Sequence, residues 1–225
     1  MHHKGFGFHA DDCAPGILGL LSSAREHNGL VVELGCGSGL LTRHLLDGGH
    51  RVIATDASPA MLDLARDVAS DAEEIRRLTL PDDPIPEADA IVSVGHALST
   101  CPRPRRSTGH WSPSLEPWPG GVLAIDLCDL EWARIRLDQP PKGWVGEDWA
   151  VVTEFSVPSP DRYVRQMATF IRNDGSWRRD DERHDNVMID TSLVPPLLAE
   201  HGVEAAVRSS FGDEGLPVGL QAIIG

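Results

Sequence analysis

Basic side chains are scarce in this sequence. Its 225 residues include 20 lysines and arginines against 34 aspartates and glutamates, which gives a formal net charge of −14. Only two of the basic residues are lysines, Lys4 and Lys142. So acidic a surface repels the phosphate backbone of DNA or RNA, and we expect no nucleic-acid partner. A local basic patch around Arg103, Arg105 and Arg106 is the alternative.

Cysteine and long apolar runs are scarce as well. The four cysteines, Cys13, Cys36, Cys101 and Cys128, form no C-x-x-C pair, so we expect neither a metal site nor a disulfide framework. The sequence has no run of about 18 apolar residues, and we expect no membrane span. Its first residues lack the apolar core of a signal peptide, which makes the cytoplasm the expected location.

The most informative segment is Val31–Gly39, which reads V-V-E-L-G-C-G-S-G. It predicts a buried strand, a glycine-rich turn and a helix over Leu40–Leu46, the arrangement of a nucleotide-type pocket. The nicotinamide fingerprint G-x-G-x-x-G would need glycine where Leu40 stands, so the match to that fingerprint fails. The acid Glu33, two residues before Gly35, suits a cationic or hydroxyl-bearing ligand better than a pyrophosphate.

A second acid follows at Asp56, at the end of a predicted strand over Arg51–Asp56. A carboxylate at the tip of the second strand can bind a ribose diol. Ser58 is then expected to cap a helix that has Pro59 at its first position.

These two segments, Val31–Gly39 and Val52–Leu64, resemble the class I S-adenosylmethionine-dependent methyltransferases. Both acids and all three glycines fall at the spacing of that family, and a looser likeness extends over nearly the whole chain. The resemblance implies S-adenosylmethionine as the cofactor, with its methionine end near Glu33 and the glycines, its ribose on Asp56 and its adenine between Ala57 and Met61. The residues that the resemblance assigns to cofactor binding are Glu33, Gly35, Cys36, Gly37, Gly39, Asp56, Ala57, Met61, Thr79, Leu80 and Val94. Met61 also suits a place in the core.

The order of predicted elements indicates one α/β domain over residues 1–225. Strands that alternate with helices predict a doubly wound, mostly parallel, seven-stranded sheet, built from residues 12–135 and 190–225. A helix over Cys13–Glu26, capped by Asp11 and Asp12, is expected to precede the first strand. Further strands are predicted over Ile75–Leu80, Ala88–Val94 and Gly121–Leu127, a helix over Leu193–His201, and a terminal hairpin over Val203–Phe211 and Val218–Ile224.

Residues 144–188 differ in pattern from the rest. Three alternating segments, Trp149–Ser156, Tyr163–Arg172 and Trp177–Met188, are separated by turn sequences and predict an inserted antiparallel meander. Some small-molecule members of the family, including sugar N-methyltransferases, carry extra strands at this place that cover the active site. The resemblance therefore implies a lid over a small substrate.

Residues 100–119 do not fit the fold, because five prolines stand where a crossover helix is expected. One interpretation is a native proline-rich loop, although loops of that length are uncommon inside compact domains. The other is an out-of-frame segment, since one permitted codon set for residues 107–120, regrouped from its third base, encodes the amphipathic sequence D-R-A-L-V-A-I-A-R-A-L-A-R followed by glycine. Resequencing the coding DNA distinguishes them.

His96 is the candidate catalytic residue, because it follows the fourth strand at the end where ligands bind in open α/β sheets. A histidine with a pKa near working pH could accept a proton from an attacking hydroxyl or amine, or it could merely orient a loop. His9 could belong to an N-terminal lid, but a surface position is preferred. We interpret Arg165 and the charged run 178–185 as a solvated strand face. Trp144, Trp149 and Trp177 could form an aromatic wall or belong to the core.

The sequence thus predicts methyl transfer from S-adenosylmethionine to an oxygen or nitrogen of a small metabolite. The alternative is a degenerate, non-catalytic module that binds the same cofactor as a partner subunit, and a nicotinamide oxidoreductase is disfavoured by Leu40 and Glu33. The expected partner is a small-molecule methyl acceptor. A homodimer is left open.

Overall fold

The computed structural model describes residues 8–100, 121–137 and 139–225. Its main feature is a seven-stranded sheet. The strands are β1 (Leu30–Leu34), β2 (Arg51–Asp56), β3 (Glu74–Arg77), β4 (Ala90–Ser93), β5 (Val122–Cys128), β10 (Ala206–Arg208) and β11 (Leu220–Ile224). Their order across the sheet is β10-β11-β5-β4-β1-β2-β3. The pairs among β1 to β5 are parallel, whereas β11 runs antiparallel to both of its neighbours. The sheet is therefore doubly wound and mostly parallel, as predicted.

Short helices connect the strands. They are α1 (Phe8–Leu20), α2 (Ser22–Glu26), α3 (Leu40–Asp47), α4 (Pro59–Val68), α5 (Leu130–Arg134) and α6 (Val194–Ala199), with single turns of 3₁₀ helix at Ala97–Thr100 and Thr191–Leu193. The sequence predicted the start of α4 correctly, because the Ser58 side chain accepts a hydrogen bond from the Met61 N–H and Pro59 is the first helical residue. Within the described residues, no helix is long and apolar enough to cross a membrane.

Each face of the main sheet has its own apolar core. Alternate residues of a strand point to opposite faces, so that Val31 packs with α1 and α3 while its neighbour Val32 packs on the other side with Val194 and Leu198 of α6. The residues of β4 are all buried, as the continuous apolar run of a parallel strand requires. This packing fixes the carboxyl ends of β1, β2, β4 and β5 along one edge of the sheet.

The inserted segment forms a separate antiparallel sheet in the order β6-β7-β8-β9. Its strands are β6 (Lys142–Val145), β7 (Trp149–Ser159), β8 (Arg162–Asn173) and β9 (Ser176–Val187). Asp174 and Gly175 both have positive φ, 49° and 79°, which is the turn that suits a two-residue hairpin. The meander was predicted, but β6 as its fourth strand was not. We call this sheet the lid sheet.

The start of the chain departs from the sequence-based expectation. The first helix begins at Phe8 rather than Cys13, so Asp11 and Asp12 lie inside α1 and do not cap it. Asp11 accepts a hydrogen bond from His44 of α3 at 2.7 Å instead. The predicted helix is also divided at Leu21 into α1 and α2. Residues 101–119 of the anomalous segment, along with the Arg103–Arg106 patch and Cys101, lie outside the described residues.

Candidate functional site

The glycine loop between β1 and α3 is shaped by three left-handed residues. Gly35, Gly37 and Gly39 have φ of 72°, 54° and 83°, a region that residues with a Cβ atom rarely adopt. A Cβ on Gly39 would lie 3.1 Å from the Ala65 Cα, so this glycine lets α3 approach α4 closely. A Cβ on Gly37 would meet no described atom within 4 Å, which leaves open space above the loop for a ligand.

Glu33 lies beneath this loop and is 3% exposed. Its Oε2 accepts a hydrogen bond from the Thr42 hydroxyl at 2.6 Å, and its backbone carbonyl accepts one from the Thr55 hydroxyl at 2.8 Å. Burial raises the pKa of Glu33 to about 7; the hydrogen bond from Thr42 opposes that shift, and the nearby Asp56 adds to it. A buried acid that is poised near neutrality favours a cationic group in the open space beside it.

Asp56 lies at the carboxyl end of β2 and faces the same loop. Its Oδ2 accepts the Gly37 N–H at 2.9 Å, and its Oδ1 accepts the Ser58 N–H at 2.8 Å. A carboxylate has about four lone-pair positions, so each oxygen retains one for a further donor such as a ribose hydroxyl. The two acids and the glycine loop are thus brought together, as the sequence predicted.

The other predicted cofactor residues surround this point in different ways. Ala57 is exposed and Met61 partly exposed at the start of α4, where both can contact a ligand. The Cys36 side chain packs into the small core between β2 and α4, so only its backbone faces the loop. The Thr79 N–H donates to Asp83 at 2.7 Å, and Leu80 packs on the core beside the sheet. Their assignment to the cofactor stays a prediction.

Val94, Gly95 and His96 follow β4 at the same edge of the sheet. Gly95 and His96 are both left-handed, with φ of 85° and 50°. The carboxylate of Asp126, fully buried on β5, holds them by accepting the Gly95 N–H at 2.8 Å and the His96 N–H at 2.6 Å. Asp126 therefore fixes a turn that would be strained for a histidine.

The titration of His96 differs from the sequence-based expectation. Burial lowers the pKa of His96 to about 4; Asp126 opposes the shift, whereas Arg165 and His9 increase it. The Nδ1 atom is buried and has no hydrogen-bond partner among the described residues. The expectation of a pKa near working pH was wrong, because the sequence did not reveal this enclosure. At neutral pH the ring is uncharged and offers a lone pair.

At this edge, Asp126 had not been recognised as part of the site, and His9 had been placed there only as the less favoured alternative. The sequence analysis treated Asp126 only as part of a strand. The signal that could have revealed its role is a charged residue inside the apolar run G-V-L-A-I-D-L. His9 was expected at the surface, but its Nε2 lies 3.1 Å from Asp126 Oδ2 and its side chain is only 18% exposed. That interpretation was wrong because α1 packs over the end of β5.

Aromatic side chains join the lid sheet to the main sheet beside His96. The Trp132 ring of α5 lies 5.6 Å from the His96 ring and 6.2 Å from the ring of Tyr163, the only tyrosine in the chain. The expected wall of Trp144, Trp149 and Trp177 is not what forms here, since Trp144 and Trp177 are 44% and 53% exposed. The space near His96 is therefore lined from both sheets.

The charged run on β9 is a solvated strand face, as predicted. Exposed ion pairs join residues two apart along it: Arg178–Asp180, Arg179–Asp181 and Arg183–Asp185. Arg165 does not belong with them, because it is partly buried and burial lowers its pKa. In the part of the chain that the structure describes, no three metal-ligating side chains are placed to hold an ion.

Comparison with known proteins is consistent with this site. The family model described as a methyltransferase domain matches residues 31–117. The uncharacterised methyltransferase YrrT of Bacillus subtilis is 47% identical over 66 residues, which cover 28% of this chain and 30% of that protein.

Solved structures match over almost the whole chain. An S-adenosylmethionine-dependent methyltransferase from Clostridium acetobutylicum gives a TM-score of 0.71 at 16% identity, covering 99% of this chain and 94% of that one. The sugar N-methyltransferase KedS8 from Streptoalloteichus gives 0.71 at 18%, with 99% and 90% covered. CalS10 from Micromonospora echinaspora, an amino pentose methyltransferase solved with S-adenosylmethionine bound, gives 0.68 at 18%, with 99% and 93% covered. At these identities the structures establish the fold.

The glycine loop, the two acids and the strand order agree with these matches. Residues 31–117 match a methyltransferase domain, and the chain has the fold of solved S-adenosylmethionine-dependent methyltransferases. The lid sheet is an antiparallel insertion in this fold, and CalS10, which shares the fold, was solved with S-adenosylmethionine bound.

Proposed function

We propose that this protein transfers a methyl group from S-adenosylmethionine to an oxygen or nitrogen of a small metabolite held between the main sheet and the lid sheet. The observation that carries the proposal is the adjacency of two half-sites. The glycine loop and Asp56 end β1 and β2, and His96 follows β4, which is the neighbour of β1 on its other side. Cofactor and acceptor would therefore meet above β1.

The residues present fit the cofactor. Asp56 offers a lone pair on each oxygen to the two ribose hydroxyls, and Gly37 leaves room for the backbone to be approached closely. Glu33 supplies a buried acid toward the cationic end. When bound, S-adenosylmethionine supplies an electrophilic methyl group on a positively charged sulfur, so the protein's main task is to orient the acceptor and to exclude water.

His96 would contact the acceptor. Its ring is neutral at neutral pH, and a neutral imidazole nitrogen can accept a hydrogen bond from the attacking hydroxyl or amine and hold its lone pair toward the methyl group. The fixed backbone of Gly95 and His96 limits the motion of that nitrogen, because Asp126 holds both N–H groups. The names of two similar structures, an amino pentose methyltransferase and a sugar N-methyltransferase, support a small, polar acceptor of this kind.

Calorimetric titration with S-adenosylhomocysteine, and with NADH as the control, tests the cofactor half of the proposal. We expect binding of the first and none of the second. A screen of fractionated metabolite extracts with radiolabelled S-adenosylmethionine then tests the transfer. Tight binding without transfer to any fraction would favour a non-catalytic partner subunit, and binding of NADH alone would overturn the proposal.

A further inference from the structure

An arginine that has no role in the proposed methyl transfer lies at the junction between the two sheets. Arg136 follows α5, and its guanidinium carbon stands 3.2 Å from the centre of the Trp132 ring. The only hydrogen bond that its side chain makes to the described residues runs from Nη1 to the Trp132 carbonyl at 2.9 Å. No carboxylate in residues 8–100, 121–137 or 139–225 forms an ion pair with it. A guanidinium has five N–H donors, so most of its binding capacity remains.

Polar atoms around Trp132 also lack good hydrogen bonds. The His96 Nδ1 is buried without a hydrogen bond to the described part of the chain, and the Trp132 Nε1 and the Tyr163 hydroxyl are close enough to act on each other but form no well-aligned bond. Tyr163 is 1% exposed and Trp132 is 7% exposed. Buried polar groups cost free energy unless they are paired, so these poorly satisfied atoms beside an arginine point to a polar ligand.

Two arginines act at this junction. Arg136, which follows α5, and Arg165 of the lid sheet both act electrostatically on Tyr163 and Cys128, while Asp126 acts on Cys128 with the opposite sign. Glu182 of the lid offsets part of the charge of Arg165. No carboxylate of the described residues acts on Arg136 in the same way. In a protein with a net charge of −14, Arg136 is therefore a cation that an anionic ligand can bind.

We propose that the methyl acceptor carries an anionic group, a carboxylate or a phosphate ester, and that Arg136 binds this group at the junction of the two sheets. Guanidinium pairs with both anions through two parallel hydrogen bonds. Trp132 contacts both Arg136 and His96, so the anion site lies one side chain away from the place proposed for the methyl-accepting atom. The inference rests on the proposed methyl transfer and adds the class of its substrate.

A bound anion also accounts for how His96 becomes a better proton acceptor. The groups acting on its ring are Asp126, Arg165 and His9, and the last two disfavour the charged imidazole. The negative charge of an anion bound to Arg136 would offset that effect. The same substrate group would then both anchor the acceptor and favour proton uptake at His96.

The test is an anion titration of protein loaded with S-adenosylhomocysteine, with sodium phosphate and sodium acetate as probes and sodium chloride at matched ionic strength as the blank. We expect phosphate or acetate to bind and the Arg136→Gln variant to weaken that Kd by about tenfold or more, the scale of a lost charge-assisted pair. Arg134→Gln is the matched control, since Arg134 is the last residue of α5, two positions before Arg136, and is 74% exposed. Preference for phosphate identifies a phosphate ester, and preference for acetate identifies a carboxylate.

A second experiment compares the rates at which pairs of candidate methyl acceptors are methylated. Phosphoethanolamine against ethanolamine, and tyrosine against tyramine, differ only in the anionic group, and we expect the anionic member to be methylated faster when either pair reacts. Phosphate and acetate that bind no better than chloride, or faster methylation of the member without the anionic group, would overturn the inference. Loss of S-adenosylhomocysteine binding in the wild-type protein would instead overturn the proposed function, so the two failures are distinguishable.

Discussion

Replacing Asp126 with asparagine should destabilise the protein and release the turn that carries His96. The substitution preserves shape but converts one acceptor oxygen into an NH₂ group. Asp126 accepts hydrogen bonds at 2.6 Å from the His96 N–H and at 2.8 Å from the Gly95 N–H, and His9 lies 3.1 Å from the second oxygen. An asparagine can satisfy only one of the two backbone donors, and its amide faces the other.

The magnitude follows from those contacts. A buried donor left without a partner costs about 1–3 kcal/mol, and weakening the remaining bond from charged to neutral costs about 1 kcal/mol more. We therefore expect the free energy of unfolding to fall by about 2–4 kcal/mol. For a chain of this size that corresponds to a Tm lower by roughly 5–15 °C.

Urea denaturation followed by circular dichroism measures this change, and hydrogen exchange at the Gly95 and His96 amides reports the released turn. Asp63→Asn is the control, because that side chain is 77% exposed and should change stability by less than about 0.5 kcal/mol. An Asp126→Asn protein as stable as this control, with both amides still protected, would refute the anchoring role of Asp126.

Four further outcomes are expected. Asp56→Ala should weaken S-adenosylhomocysteine binding by about 1.5–3 kcal/mol in calorimetry, and an unchanged Kd in a folded variant would contradict the ribose assignment. Gly37→Val should abolish binding while circular dichroism still shows a fold, because a branched Cβ strains a φ of 54° and occupies the ligand's space; normal affinity would rule out the loop as the cradle. His96→Ala should lower kcat by about 10²–10⁴-fold, and the wild-type rate should fall only as the pH approaches about 4; a wild-type kcat in the variant would limit His96 to orienting the loop. Glu33 has a pKa of about 7 against 4.5 for an ordinary glutamate, so its contribution to stability is full below pH 4.5 and is lost as the pH rises through 7. Glu33→Gln should thus gain up to about 3 kcal/mol relative to wild type at alkaline pH in urea titrations, and parallel stability profiles would exclude the shift.

The strands and the cofactor half-site were predictable because local patterns determine them. β2 was predicted with the bounds that the structure has, and β1 was predicted directly before the glycine loop, since each is an apolar run that ends at a glycine loop or an acid. The two acids came together because parallel strands end at a common edge.

The acceptor side was harder to predict, because it depends on contacts between segments far apart in the chain. Asp126 meets His9 across a separation of 117 residues, and no periodicity in either segment indicates that contact. The pKa of His96 likewise follows from enclosure by groups on β5, the lid and α1, none of which is adjacent in sequence. The Trp132 contacts with His96 and Tyr163 join three separate elements for the same reason.

The antiparallel strand β11 has a consequence for how the chain is made. It lies between β5 and β10, with Ile224 opposite Ala124 and Leu220 opposite Cys128. During synthesis β5 therefore leaves the ribosome long before the strand that covers its edge, and until then it presents unpaired backbone groups beside an apolar face. Closure of the sheet requires pairing across nearly half the chain, which is the kind of non-local contact that slows folding. Chaperone demand in the cell should accordingly be highest in the interval between translation of β5 and of β11.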